Sequence, residues 1–245
     1  MAGSPIGKSA VNEEQPRKIR VTRNGPYMVT GGVPMHDETI GCNEDGESTH
    51  WVRGKDYPPK GNYTLCRCGG SKNKPYCDGT HVHNGFDGTE CASKEPYLKQ
   101  ARRVKKGPEV DLTDAEDLCA FARFCDRAGT IWKLVKQPGA EAKETTIQEG
   151  MDCPSGRLVV WSKDGVAYEP ELEPSIAVVD DPAVGCDGPL WVRGGILIEA
   201  ADGTTYEVRN RVTLCRCGKS SNMPFCDGSH AAAENGEEVQ TPGSE

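Results

Sequence analysis

Eight residues of this chain fall into two sets that share one spacing. Cys66, Cys68, Cys77 and His81 form the first, and Cys215, Cys217, Cys226 and His230 the second; both obey C-x-C-x8-C-x3-H. Two soft thiolates on one short loop can ligate one iron of a binuclear cluster. A third thiolate and an imidazole four residues later can take the other iron. Tetrahedral zinc also accepts three thiolates and one imidazole, although its usual spacings put two or more residues between paired cysteines. Spacing alone therefore leaves an iron–sulfur centre, zinc and unligated thiols open. A disulfide framework fits poorly: Met1 to Gln15 contains no apolar run of signal-peptide length, so the expected compartment is the reducing cytoplasm.

Three further cysteines lie between the two sets. Cys119 and Cys125 are followed at a distance by Cys153-Pro154. Bacterial ferredoxins use C-x2-C-x2-C with a distant C-P, and here Ala122 stands where the central cysteine would be. Three thiolates can hold a 3Fe-4S cluster, or a 4Fe-4S cluster whose fourth iron takes water; the alternative is buried free cysteines in a degenerate segment. Cys42, Cys91 and Cys186 match no motif position. They read as buried or incidental thiols, with a fourth-ligand role as the alternative for Cys91.

The elements that must position these groups follow from patterning. Gly25-Pro26-Tyr27-Met28-Val29-Thr30-Gly31-Gly32 returns as Gly188-Pro189-Leu190-Trp191-Val192-Arg193-Gly194-Gly195, with five of eight positions identical. Lys18 to Val21 and Tyr27 to Thr30 flank Asn24-Gly25. Ile196 to Glu199 and Tyr206 to Arg209 flank Asp202-Gly203, and Leu158 to Ser162 and Val166 to Tyr168 flank Asp164-Gly165. Each set predicts a hairpin. Val208 to Leu214 leads into the second cysteine pair, so each repeat reads as a small β unit capped by a cysteine-bearing loop. Asp227-Gly228-Ser229 suits a helix start, which would aim its amides at an anionic cluster. Thr113-Asp114-Ala115-Glu116 has a capping-box pattern and predicts a helix through about Arg127. Arg102, Arg103, Lys105 and Lys106 fall in the linker before it, as a solvated face or a dock for an acidic partner.

Composition bounds the rest. The 245 residues are 36% hydrophobic and only 6% aromatic, so metal centres would supplement a thin core. The net charge of −8 argues against nucleic acid and suits a small redox protein. No stretch reaches the ~18 apolar residues of a membrane span. Neither a phosphate loop, a dinucleotide glycine pattern nor a nucleophile–base motif is present, which favours a carrier over an enzyme.

Both cysteine–histidine sets match C-x-C-x2-[ST]-x3-P-x-C-D-G-[ST]-H throughout, with Ser71, Pro75 and Thr80 in one and Ser220, Pro224 and Ser229 in the other. The pattern resembles the signature of the CDGSH, or NEET, iron–sulfur family. The middle segment, Leu118 to Leu158, resembles the divergent single-cluster ferredoxin-like domain and the three-cysteine ferredoxins. As a whole, Lys18 to His230 resembles tandem prokaryotic CDGSH proteins with such an insert. The resemblance implies an α+β fold of mainly small β units, with two β-cap and cluster-loop modules forming a pseudo-dimer around a ferredoxin-like α+β insert. The expected divisions are tails at 1–16 and 233–245, CDGSH modules at 17–86 and 171–232, and the insert at 87–170. It implies two 2Fe-2S clusters, each with a partly exposed histidine, and a candidate third cluster of 3Fe-4S or 4Fe-4S type. The expected role is electron transfer with an unidentified redox or cluster-acceptor protein, in a chain that is monomeric by virtue of its internal pseudo-dimer. Iron or cluster transfer is the alternative, ahead of a zinc-stapled interaction module or an open-iron hydro-lyase. The neutral imidazole implies a raised, pH-coupled potential.

Overall fold

The structure is a computed structural model that describes residues 16–231. The tail readings at 1–16 and 233–245 fall outside those residues, apart from Pro16. The first repeat supplies β1 (Lys18–Val21), β2 (Tyr27–Thr30), β3 (Met35–Cys42), β4 (Ser48–Asp56) and β5 (Tyr63–Leu65). The middle segment supplies α1 (Tyr97–Gln100), β6 (Arg103–Lys106), β7 (Asp111–Asp114), α2 (Ile131–Leu134), α3 (Ala140–Asp152), β8 (Leu158–Trp161) and β9 (Ala167–Tyr168). The second repeat supplies β10 (Ser175–Asp181), β11 (Cys186–Arg193), β12 (Leu197–Glu199) and β13 (Arg211–Leu214). The fold is thus mostly small sheets with few helices. No helix among the described residues is long and apolar enough to cross a membrane.

The two repeats exchange strands. One sheet has the order β12-β1-β2-β5 and another β13-β11-β10-β3-β4. β12 of the second repeat pairs in parallel with β1 of the first, Lys18 opposite Leu197. Reciprocally, β3 of the first pairs in parallel with β10 of the second, Met35 opposite Ile176. Each crossing follows a repeated glycine pair, Gly31-Gly32 or Gly194-Gly195, and all four have φ between 66° and 81°. Such backbone is nearly free only for glycine. One apolar core results, drawing Ile19, Val29 and Leu65 from one repeat and Ile176, Val192 and Leu214 from the other. A repeat could not bury its strand faces alone, because part of each sheet belongs to the other repeat.

The hairpin around Asn24-Gly25 forms as expected, with Val21 opposite Tyr27. So does that around Asp164-Gly165, Trp161 opposite Ala167. The third expected hairpin forms only in part. Its turn is present, with Gly203 N–H donating to the Ala200 carbonyl at 3.0 Å, but Tyr206 to Arg209 is not a strand. Its side chains are drawn to the middle segment instead: Glu207 accepts the Tyr97 amide at 2.6 Å, and Arg209 donates to the Gly156 carbonyl.

The helix expected from Thr113 to Arg127 does not form. Thr113 and Asp114 end β7, and a single 3-10 turn, Glu116–Leu118, follows. The Asp114 carboxylate caps nothing; it is held by Arg157 at 2.7 and 3.0 Å and by Trp132 Nε1 at 3.0 Å. Phe121 (φ 55°) and Arg123 (φ 62°) then adopt left-handed backbone, which interrupts a right-handed helix. Of the basic run expected in a linker, Arg103, Lys105 and Lys106 fall in β6, an outer strand of the sheet β6-β7-β8-β9, and Arg102 just precedes it.

On α3, Glu149 is fully buried and its carboxylate has no hydrogen-bond partner among the described residues. Burial raises its pKa from 4.5 to about 8 against the opposing pull of Arg127, with Asp126, Asp152 and Glu47 adding to the rise. The folded chain therefore keeps a proton that the unfolded chain loses near pH 4.5. The associated stability is complete below that pH and is lost as pH rises through about 8. Glu149→Gln should match the parent protein at pH 4.5 and exceed it by about 2–4 kcal/mol at pH 9. Denaturant midpoints across that range check this, and parallel curves for the two proteins would refute it.

Candidate metal centres

The two cysteine–histidine loops are built by the same bonds. β5 runs into Cys66, whose amide donates to the Pro75 carbonyl at 2.8 Å, and the Cys77 amide donates to Thr64 at 3.0 Å. In the second loop Cys215 donates to Pro224 at 2.9 Å and Cys226 to Thr213 at 2.9 Å. The non-ligand positions of the pattern hold the turns. Ser71 and Ser220 donate to Tyr76 and Phe225 carbonyls at 2.6 Å. Asp78 accepts the Lys72 and Thr80 amides at 2.8 and 3.0 Å, and Asp227 accepts those of Ser221 and Ser229 at the same distances. The repeated hydrogen bonds explain why Ser, Asp and Ser/Thr recur beside the ligand-type residues.

Each loop offers two chelating pairs. The sulfurs of Cys66 and Cys68 are 3.9 Å apart and those of Cys215 and Cys217 3.7 Å. Two sulfurs bound at about 2.3 Å to one tetrahedral metal would be about 3.8 Å apart. The Nδ1 atoms of His81 and His230 lie 3.4 Å from the sulfurs of Cys77 and Cys226. Among the described residues, no three His, Cys, Asp or Glu side chains converge on a single ion. Burial raises the thiols of Cys66 and Cys226, the latter strongly. Thiolates so placed require metal charge to offset their desolvation.

The loops meet back to back. Cys68 and Cys217 form an antiparallel bridge. A Cβ on Gly69 would stand 2.4 Å from the Cys217 carbonyl oxygen, and one on Gly218 2.7 Å from that of Cys68. A cavity of about 650 Å³ opens beside this crossing, lined by Gly69, Lys74, Cys217 and His230 among others. Cys186 lines it as well, while Cys42 sits beside Arg123.

The surroundings of the two loops differ. His81 is half-buried and Val82 beside it is 69% exposed, but His230 is only 6% exposed. The expectation of a partly exposed histidine thus holds for His81 and fails for His230. The middle segment covers the second loop. Gly228 lies against the Cys119 carbonyl and Phe121, Asn222 donates to the Asp117 carbonyl at 2.6 Å, and Cys91 and Ala92 amides donate to Met223 at 2.8 and 2.9 Å. Desolvation lowers His230 to about 4, so the imidazole stays neutral and able to ligate. Tyr27 of the first repeat reaches across to donate to the Cys215 and Pro224 carbonyls at 2.8 and 3.0 Å.

Cys119, Cys125 and Cys153 line one cleft, with Ala122 and Arg157. The irregular loop that replaces the expected helix is what lets Cys119 and Cys125 share it. Burial raises both thiols, and Arg157 donates a hydrogen bond to Cys119. Cys91 is exposed and does not line the cleft. Sequence reasoning missed Arg157 and Tyr27. Arg157 stands in no motif and Tyr27 at a non-identical position of the repeat, although the arginine of each C-R-C pair, Arg67 or Arg216, was visible as a repeated position. Arg216 donates to the Gly188 and Val179 carbonyls at 2.9 and 2.7 Å, fastening its loop to the sheet.

Two family models match the chain. One, described as an iron-binding zinc finger of CDGSH type, matches residues 24–82 and again 187–231. The other, described as a divergent 4Fe-4S mono-cluster, matches residues 105–163. No curated protein and no solved structure matches. All eight residues of the two loops lie within the CDGSH-type ranges, and together the matches make this an iron–sulfur protein in which two CDGSH-type segments flank a divergent 4Fe-4S segment.

Proposed function

We propose that the chain is an electron carrier with three centres in a row. Cys66, Cys68, Cys77 and His81 would hold one 2Fe-2S cluster, and Cys215, Cys217, Cys226 and His230 a second. Cys119, Cys125 and Cys153 would hold a third cluster, of 3Fe-4S or 4Fe-4S type, with Ala122 in place of a fourth protein ligand. The reading is carried by adjacency: the Cys68 and Cys217 backbones touch, and Gly228, two residues from Cys226, packs on the Cys119 carbonyl. The strand exchange supports a fused pseudo-dimer, with the ferredoxin-like insert leaning on its second half.

The bound clusters would supply one-electron chemistry, and the protein sets their surroundings. Gly70 and Gly79 amides point at the Cys68 and Cys77 sulfurs at 3.4 Å, which stabilises added negative charge there. Arg157 does the same beside Cys119. Anaerobically purified protein should contain about four irons from the outer motifs and about seven or eight with the middle site filled. Reductive titration followed by visible and electron paramagnetic resonance spectra should resolve separate centres. Zinc without colour would refute the reading. The half-buried His81 favours cluster donation as a second reading, and loss of colour to an apo-ferredoxin would select it.

A further inference from the structure

The middle segment carries a basic surface that the cluster ligands do not explain. β6 is hydrogen-bonded to β7 alone, with Arg103 and Lys105 on one face and Lys106 beside Val104, which is 57% exposed, on the other. At its end, Gly107 packs so closely on the carbonyl of Val135, just after α2, that a Cβ would fall 1.8 Å from the oxygen. This contact brings Lys136 beside Lys105. Burial, then repulsion from Lys136 and Arg103, lowers the Lys105 pKa. Lys133 stands exposed on α2.

The neighbouring cations are neutralised locally: Arg103 pairs with Glu116 at 3.0 Å and Lys163 with Asp111 at 2.6 Å. Lys105, Lys106, Lys133 and Lys136 have no ion pair among the described residues, and the exposed Glu109 is the acid of the intervening turn. Four uncompensated lysines on this edge strand and on and just after α2 stand out in a chain of net charge −8. Cys125 adjoins α2. Its carbonyl accepts the Ile131 amide of α2 at 2.9 Å, and its side chain packs with Ile131, Trp132 and Val135.

We propose that this surface, formed by β6 and the outer face of α2, docks an acidic redox protein against the Cys125 side of the middle site. The proposal rests on the electron-carrier reading. Complementary charge accelerates encounter and fixes orientation, and its effect fades with salt. The exposed Val104, beside Lys106 on β6, would supply a small apolar contact at the edge.

The test uses the full iron-loaded chain with a reduced acidic 2Fe-2S ferredoxin as probe, following both its binding by calorimetry and the rate of electron transfer. Lys105→Glu/Lys136→Glu should weaken binding and slow transfer about tenfold or more at low ionic strength, and converge with the parent at high ionic strength. Iron content and reduction by dithionite should be unchanged. A charge-matched pair on the β1–β2 hairpin, Arg17→Glu/Arg23→Glu, should lose much less. Equal losses in the two pairs would reduce the effect to net charge and overturn the proposal. No loss in the first pair would also overturn it, as would aggregation as the sole change, since lysines on an outer strand also guard against edge pairing. Binding of the parent to anionic lipid vesicles but not to ferredoxin would reassign the surface. If dithionite fails to reduce the parent, the electron-carrier reading itself fails; if reduction succeeds and charge reversal is silent, only the docking surface does.

Discussion

A strong iron chelator should strip the outer motifs in two steps, taking the His81 motif first and the His230 motif about tenfold or more slowly. Asp78 and Val82 are exposed and His81 is half-buried, so the first motif is reached without rearrangement. Cys226 and His230 are 3% and 6% exposed, and Gly228 is covered by Cys119 and Phe121. Attack there must pass the 119–125 loop or enter through the cavity that His230 lines, and each ~1.4 kcal/mol this adds to the barrier slows it about tenfold. Cys77→Ala and Cys226→Ala each leave one outer motif intact, so the loss of visible absorbance can be assigned. Phe121→Gly should speed loss from the second motif severalfold. It removes the side chain that packs against Gly228, at a residue whose φ of 55° suits glycine. Equal rates in the two single-motif proteins would refute the asymmetry.

Gly69→Ala should destabilise the protein by about 2–5 kcal/mol and lower the iron content of both outer motifs together. Left-handed backbone at a non-glycine residue costs about 1–2 kcal/mol, and forcing atoms into a filled contact about 1–3 kcal/mol more. Gly69 has φ 73°, and its Cβ would overlap the Cys217 carbonyl, so relief must come from separating the loops. Gly218→Ala should behave alike from the other side. Gly203→Ala supplies the control, since its φ is 86° but nothing lies within 4 Å of its Cβ. Thermal unfolding with iron analysis checks this. A Gly69 variant no worse than the Gly203 variant would show that the crossing of the loops is not under steric constraint.

Local signals were the legible ones. Asn24-Gly25 and Asp164-Gly165 marked hairpins whose partners are a few residues apart, and both formed. The helix expected at Thr113 failed because the same local pattern was claimed from a distance. Asp114 binds Arg157, 43 residues on, and Thr113 Oγ1 meets the Tyr97 hydroxyl at 2.9 Å. The hairpin after Gly195 half-failed similarly, when β12 paired with β1 and the next segment was drawn to the middle domain.

The amino-acid sequence by itself determined the chelating pairs, because C-x-C and C-x3-H bring donors together within one loop, whatever the rest of the chain does. It also determined the repeat, and with it two equivalent sets of loop-fastening bonds. Which histidine is covered, how the loops cross and where the lysines gather were decided by tertiary structure. Each depends on surfaces brought together from far along the chain: Cys68 on Cys217, Phe121 on Gly228, Val135 on Gly107. Burial is a property of such pairings rather than of a spacing. Two motifs alike in sequence therefore end in unlike surroundings, with His81 half-buried and His230 buried.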